Sequence, residues 1–101
     1  MIEIKILELV GQFGENKDIA RKIRLEKILP SLVAGEQVAL DFDGVEAVTQ
    51  SFIHALISDV IRKHGITVLD NLYFKNCNTT VNKIISIVVD YMQDNIEENS
   101  K

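Results

Sequence analysis

The sequence is poor in cysteine, proline and tryptophan, and the first two shortages narrow what the chain can be. Cys77 is the one cysteine in 101 residues, so no disulfide can form within the chain, which agrees with a reducing compartment. We therefore expect a cytoplasmic protein. Pro30 is the one proline, and a helix through that region is expected to end or kink there.

Long apolar runs and an excess of positive charge are also missing. No run approaches the ~18 apolar residues that suggest a membrane-spanning helix, and the alternating start of the chain is unlike the apolar core of a signal peptide. Lys and Arg number 11 against 15 Asp and Glu, which gives a net charge of -4. Because phosphate backbones bind basic surfaces, we expect no nucleic-acid binding. Because long apolar runs are missing, we expect no membrane association.

What is present predicts one domain built from strands and helices. A chain of this length holds a single hydrophobic core. We assign residues 1–92 to one domain and residues 93–101 to a polar, acidic tail that frays. Three segments have the composition of strands, namely residues 2–6, 37–42 and 72–76.

The first two strand segments differ in pattern. In residues 2–6, isoleucines alternate with Glu3 and Lys5, which predicts an edge strand with one wet face, and residues 7–10 are compatible with its continuation. Residues 37–42 are apolar on both faces, as expected of an inner parallel strand covered by helices on each side. This segment ends at Asp43-Gly44, a pair that favours a turn.

Helices are predicted between the strands and after the last one. The first begins at a cap provided by Asn16 or Asp18, and the last at a cap provided by Asn78 or Thr79. The second covers about residues 50–64 and has the clearest amphipathic pattern in the chain. The order strand, helix, repeated three times, predicts an α/β fold with a small, mainly parallel sheet and helices packed on it.

The connection from the central strand to the start of the second helix contains Thr49, Gln50 and Ser51. Open α/β sheets usually place their ligands and switches at this point. In the simplest interpretation Thr49 caps the helix and Ser51 only occupies its first turn.

Three segments of the sequence resemble those of a known family. They are Leu40-Asp41-Phe42-Asp43-Gly44-Val45, Val48-Thr49-Gln50-Ser51-Phe52, and Tyr73-Phe74-Lys75-Asn76 with Asn78. Together they resemble short STAS-like domains of unknown function, over nearly the whole chain from the turn at Gly11 to the last helix. A more distant similarity links them to the STAS domains of anti-sigma factor antagonists. In those domains the same strand, loop and helix present a phosphorylatable serine to a kinase of the histidine-kinase-like ATPase fold.

The resemblance implies a signalling protein of bacterial type. Antagonist domains have an acidic residue, phosphoserine, serine or threonine, and glycine at this helix start; the corresponding residues here are Thr49, Gln50, Ser51 and Phe52. Gln50 cannot accept phosphate, so the resemblance leaves Ser51 or Thr49 as the acceptor. Phe52 in place of glycine is expected to make the surface bulkier and to change how a partner docks.

The first hypothesis is a non-catalytic regulatory module that binds a protein partner and is switched by phosphorylation. The resemblance suggests a histidine-kinase-like ATPase or its regulator as the partner. The expected partner-binding surface consists of Asp43, Gly44, Gln50, Ser51 and His54. We expect no enzymatic activity and no cofactor. For the oligomeric state we expect a monomer or a weak homodimer, the latter through the edge that Glu3 and Lys5 otherwise protect.

The alternative hypothesis is a sensor of a small anionic ligand or nucleotide. It uses the turn that contains Gly11 and Gly14, together with Lys17 and Arg21 at the start of the first helix. The two cations are also explained as part of a solvated helix face.

Other polar residues have simpler explanations than catalysis. Asp41 and Asp43 are two apart in a strand, as in acidic pairs that hold Mg²⁺, but turn chemistry also explains them, and we predict no metal site. His54 and His64 point in different directions on one helix. Cys77 is expected to be a buried or half-buried structural thiol.

Overall fold

The computed structural model describes residues 1–99 and shows an α/β arrangement. In chain order its elements are β1 (Ile2–Lys5), α1 (Ile6–Val10), β2 (Phe13–Gly14), α2 (residues 17–33), β3 (Val38–Asp41), β4 (Ala47–Val48), α3 (residues 50–64), a 3-10 helix (Ile66–Asn71), β5 (Leu72–Lys75) and α4 (Thr79–Asn99). All strand pairs are parallel. The predicted fold class is confirmed.

The main sheet has three strands with β3 in the centre. β1 and β5 pair with β3 on either side, and Ile2 and Leu72 are both aligned with Val38. β1 is therefore an edge strand, as its alternation predicts. Because the strands are parallel, their carboxyl ends lie at one edge of the sheet, beside the loops that lead into the helices.

The two faces of this sheet differ. One face is buried against the helices in a single core and carries Ile4, Val38, Leu40 and Leu72. On the other face the side chains of Glu3 and Lys75 are exposed and form an ion pair of 2.7 Å that crosses β3. The expectation of helices on each side of the central strand is wrong. The strand has an apolar pattern on both faces because Ala39, on the open face, is small enough to be covered by its neighbours.

A second, two-stranded sheet is absent from the sequence prediction. β2 and β4 place Phe13 beside Ala47 and Gly14 beside Val48. This pairing occupies the segment after the turn at Gly44, so that α3 begins at Gln50 rather than directly after the turn.

Both α2 and α3 contain a π-helical turn. In α2 it spans Arg24–Ile28, between Lys17–Ile23 and Leu29–Val33. In α3 it spans His54–Ser58, between Gln50–Ile53 and Asp59–His64. Pro30 does not end α2, because it lies in the first turn of the segment after the π turn, where its missing N–H is tolerated.

Arg24 joins the two π turns. It is buried, and its Nη1 donates to the carbonyl of Ala55 at 2.8 Å and lies 3.2 Å from the Asp59 carboxylate. A π turn takes backbone carbonyls out of the regular α-helical pattern. Here the Ser58 hydroxyl donates to the carbonyl of His54, while Arg24 satisfies that of Ala55. A buried polar contact therefore fixes α2 and α3 against each other.

Two boundaries differ from the sequence analysis. Residues 7–10 belong to helix α1, so a continued first strand is wrong. Helix α4 runs to Asn99, past residue 93, where the sequence analysis begins the frayed tail, and the last two residues of that tail lie outside the described residues. None of the helices in residues 1–99 combines the length and apolarity that crossing a membrane requires.

Candidate functional site at the start of helix α3

The start of α3 is held against the small sheet. The N–H of Thr49 donates to the carbonyl of Gly14 at 2.9 Å, which continues the pairing of β2 with β4. A Cβ atom on Gly14 would lie 3.1 Å from Phe52 Cε2 and 3.1 Å from Val48 Cγ1. Glycine is favoured here because the chain passes directly over buried side chains.

Phe52 is one of these buried side chains, with 0% of its surface exposed. The expectation that Phe52 makes the surface bulkier is therefore wrong. The sequence already contained the signal, since Phe52 falls on the apolar side of the amphipathic pattern together with Ile53 and Leu56. The surface at the helix start is formed by Gln50 and Ser51 instead, both of which are exposed.

The two hydroxyls near the helix start have different roles. Thr49 has an extended backbone, and its Oγ1 accepts a hydrogen bond of 3.1 Å from the N–H of Phe52. Thr49 is thus the helix N-cap, as the simplest interpretation has it. Ser51 is exposed in the first turn, and within the described part of the chain its hydroxyl has no hydrogen-bond partner.

The loop before the site is fixed at its beginning. Asp41 Oδ1 accepts from the N–H of Asp43 at 2.9 Å and from Asn76 Nδ2 at 3.0 Å, which ties the end of β3 to the segment after β5. Gly44 has a φ of 82°, in the left-handed region, and a Cβ there would lie 2.7 Å from Leu7 Cδ2. Asp43 and Gly44 therefore form a turn packed against α1.

Asn78 holds the same loop from the other side. Its Nδ2 donates to the carbonyls of Glu46 at 2.9 Å and Val45 at 3.3 Å, while its Oδ1 accepts from the N–H of Val81 at 2.7 Å. The last contact is the predicted cap of α4. The other two join residues more than thirty positions apart, and no local pattern in the sequence indicates them.

The loop contacts of the Asp41 carboxylate also lower its pKa. The hydrogen bond from Asn76, and then that from the N–H of Asp43, hold the pKa of Asp41 below its ordinary value, with smaller contributions from the charges of Lys75 and Lys5. Residues 1–99 include no group of three or more His, Cys, Asp or Glu side chains arranged to hold a metal ion. The geometry explains Asp41 as a residue that positions the loop.

His54 lies one helical turn beyond Ser51 and faces α4. It is half-buried, and its ring packs edge-on against Tyr91 with ring centroids 5.7 Å apart. Tyr91 is 57% exposed and Ile87 is 42% exposed. These two residues are four apart on α4, so they form an exposed apolar patch beside His54. The sequence analysis does not include these two residues in the partner-binding surface.

Comparison with known proteins gives the family. Residues 19–82, well over half of the chain, match the model of a STAS-like domain of unknown function. The chain belongs to this family. The match runs from α2 to the first turn of α4, so it includes β3, α3 and β5 and is shorter than the resemblance seen in the sequence. No curated protein and no solved structure matched.

The candidate anion-binding residues of this STAS-like domain are Gly11, Gly14, Lys17 and Arg21. Asn16 Oδ1 accepts from the N–H groups of Asp18 at 2.9 Å and Ile19 at 3.2 Å, so these N–H groups at the start of α2 already have a partner. Packing over Phe52 explains Gly14. Lys17 and Arg21 are exposed on α2.

Cys77 is half-buried beside the loop after β5, as predicted for a structural thiol. Its Sγ lies 3.8 Å from the carbonyl of Lys75. Burial raises the pKa of the Cys77 thiol, and the nearby charge of Asp41 adds to this. The thiol is therefore mainly protonated at neutral pH and is a poor nucleophile.

Proposed function

We propose that this STAS-like domain is a non-catalytic regulatory module that binds a protein partner and is switched by phosphorylation of Ser51. The docking surface, called here the α3 surface, comprises Asp43, Gly44, Gln50, Ser51 and His54, extended by Ile87 and Tyr91. The resemblance to anti-sigma factor antagonists suggests a histidine-kinase-like ATPase or its regulator as the partner.

The contrast between Thr49 and Ser51 carries this proposal. Phosphorylation of Thr49 would disturb the cap hydrogen bond to the N–H of Phe52, at a cost of about 1 kcal/mol. Ser51 is exposed and makes no such contact within residues 1–99, so its hydroxyl is accessible to a kinase without loss of a structural hydrogen bond. Of the two candidate acceptors, we therefore choose Ser51.

A phosphate on Ser51 is compatible with α3. It would lie in the first turn, where the N–H groups and the helix dipole favour negative charge. It would also add a charge of about -1.5 to -2 at neutral pH one turn from the pair of His54 and Tyr91. A partner that covers the apolar patch would have to desolvate this charge, so phosphorylation is expected to weaken binding.

Affinity capture from the extract of the source cells tests the proposal. The baits are the wild type, Ser51→Asp and Ser51→Ala, with mass spectrometry of the bound proteins and of phosphate on the bait. Ser86→Asp is the matched control, because Ser86 is an exposed serine on α4 that lines a groove beside β5. Circular dichroism establishes that each variant is folded.

We expect one partner to be held by the wild type, Ser51→Ala and Ser86→Asp and to be lost from Ser51→Asp. Titration of that purified partner should then show an affinity at least about tenfold lower for Ser51→Asp, equivalent to about 1.4 kcal/mol. Equal binding by all baits, with no phosphate on Ser51 or Thr49, would contradict the switch and leave a constitutive adaptor.

The alternative, a sensor of an anionic ligand or nucleotide, has weaker support, because Asn16 already occupies two N–H groups at the start of α2. A thermal-shift screen with nucleotides and inorganic phosphate tests it. Stabilisation that disappears in Lys17→Gln and Arg21→Gln would favour the sensor. An unchanged melting temperature throughout would remove it.

A further inference from the structure

The β1 edge of the main sheet has no neighbouring strand in the described part of the chain. The N–H of Ile2 donates to the carbonyl of Gln37 at 2.8 Å, so Ile2 and Ile4 direct their backbone groups toward β3. Because this direction alternates along a strand, Glu3 and Lys5 direct their N–H groups toward the free side. β1 therefore presents backbone donors for one more strand.

A groove of about 550 Å³ runs along this edge. Its walls are formed by β1, by α1 and by the second half of α2, where Glu26 and Lys27 line it. Ile2 and Leu9 also line the groove and are 39% and 38% exposed. Ile2 lies on the sheet face that is buried at Ile4, so an added strand would cover apolar surface that the chain itself leaves open.

We propose that a second copy of this chain occupies the edge, with the two β1 strands antiparallel about a two-fold axis at Ile4. Ile4 of one copy then faces Ile4 of the other, and Glu3 of each copy faces Lys5 of the other. Glu3 and Lys5 are also the residues whose N–H groups point outward. Ion pairs and backbone hydrogen bonds therefore form at the same positions.

The charges of Glu3 and Lys5 favour this register, and they favour a second copy of the chain as the added strand. The neighbouring registers that keep the outward backbone groups paired would place Glu3 opposite Glu3 or Lys5 opposite Lys5, and like charges directly opposite are destabilising. Ile2-Glu3-Ile4-Lys5-Ile6 is thus complementary to itself when antiparallel. The edge at β5 is not complementary to itself in this way, because its exposed side chains, Tyr73 and Lys75, include no acid.

The charges needed are available in the monomer. Glu3 Oε1 accepts from Lys75 Nζ at 2.7 Å, which leaves the second carboxylate oxygen for another cation. Lys5 takes part in no ion pair among residues 1–99. Two short strands make a small interface compared with the roughly 1,200–2,000 Å² of stable complexes, so the dimer is weak and depends on concentration. This inference is independent of the α3 surface.

Sedimentation velocity over a concentration series of the whole chain tests the proposal. Glu3→Lys gives each β1 two cations, and Lys5→Glu gives each β1 two carboxylates, so each variant alone is expected to dimerise at least about tenfold more weakly than wild type. In an equal mixture, the cations of one variant face the carboxylates of the other. The mixture is therefore expected to form heterodimers with wild-type affinity.

Lys75→Gln is the matched control, because it removes the ion pair with Glu3 inside the monomer and leaves the β1 edge unchanged. It should dimerise like the wild type, and thermal melts should show all variants folded. Dimers that persist in both single variants, or a mixture without heterodimers, would overturn the register. A wild type that is monomeric at its solubility limit would overturn the second copy and leave the edge to a strand of another protein.

Discussion

The loop that leads into α3 and the first turn of α3 are neighbours with opposite character. In the loop, the Asp41 side chain accepts a hydrogen bond from Asn76, and two backbone carbonyls accept from Asn78, which lies after β5. In the first turn, Gln50 and Ser51 are exposed to solvent. The domain thus fixes the loop before the helix and leaves two side chains of the first turn exposed.

This difference matters for binding because ordering a flexible loop costs free energy when a partner docks. The loop contacts already limit the motion of residues 41–49, so a partner at the α3 surface would meet an ordered backbone. Substitutions beneath or within the fixed region should therefore change stability, while those in the free turn should change binding alone.

Phe52→Ala should have the largest effect on stability, because it removes the fully buried ring against which Gly14 and the start of α3 pack. We expect a loss of about 3–5 kcal/mol in the free energy of unfolding, measured by urea denaturation. Phe13→Ala is the control, since Phe13 is 56% exposed, and it should cost much less. Equal losses would mean that Phe52 is not the support of the site.

Asn78→Ala should have the next largest effect. It removes the cap of α4 and both contacts with the loop, at an expected cost of about 2 kcal/mol by the same measurement. Asn82→Ala, an exposed asparagine one turn later, should stay within about 0.5 kcal/mol of wild type. A neutral Asn78→Ala would show that the loop does not depend on this side chain.

The variants Thr49→Ala and Ser51→Ala compare the stability contributions of two hydroxyls that lie within three residues of each other. Loss of the Thr49 cap should cost about 1 kcal/mol. Removal of the Ser51 hydroxyl should change stability by less than about 0.5 kcal/mol. The reverse order in thermal or urea unfolding would refute the assignment of the bound and the free hydroxyl.

The smallest expected effect is the pH dependence due to Asp41. Its pKa is lowered in the folded state, so its stabilising contribution is full above the ordinary value of 3.8 and is lost as the pH falls through the lower folded value. Compared with Asp41→Asn, the wild type should therefore gain stability as the pH rises from the lowered folded pKa to the ordinary value of 3.8, and the difference should level off above it. Parallel pH curves for the two proteins would contradict this.

Local patterns predict much of this fold. The alternation of Ile2, Glu3 and Ile4 gives the edge strand, and the amphipathic repeat gives α3 at residues 50–64. The helix Ile6–Val10 is missed because a segment of five residues is too short to show a distinct period. The open sheet face is missed because Ala39 is apolar whether or not a helix covers it. The π turns are missed because no local pattern marks them, and the contact of Arg24 with Ala55 that joins them links distant parts of the chain.

The candidate site is predicted in part for the same reason. Thr49 as cap follows from residue type and position alone. The loop contacts of Asn78, the support of Gly14 by Phe52 and the apolar patch at Tyr91 all join distant parts of the chain. The printed sequence contains these residues but no sign of their proximity, which only the packed helices create.

The parallel register of the main sheet also has a consequence for how the chain folds. β1 pairs with β3, and β3 with β5, through residues more than thirty positions apart. Such pairing waits for the closure of a long loop, so the sheet should set the folding rate although helices form locally within about a microsecond. During synthesis β1 emerges before β3 and stays unpaired until β3 follows. In that interval its self-complementary segment is open to other nascent chains, and crowding on a polysome should favour their association before folding is complete.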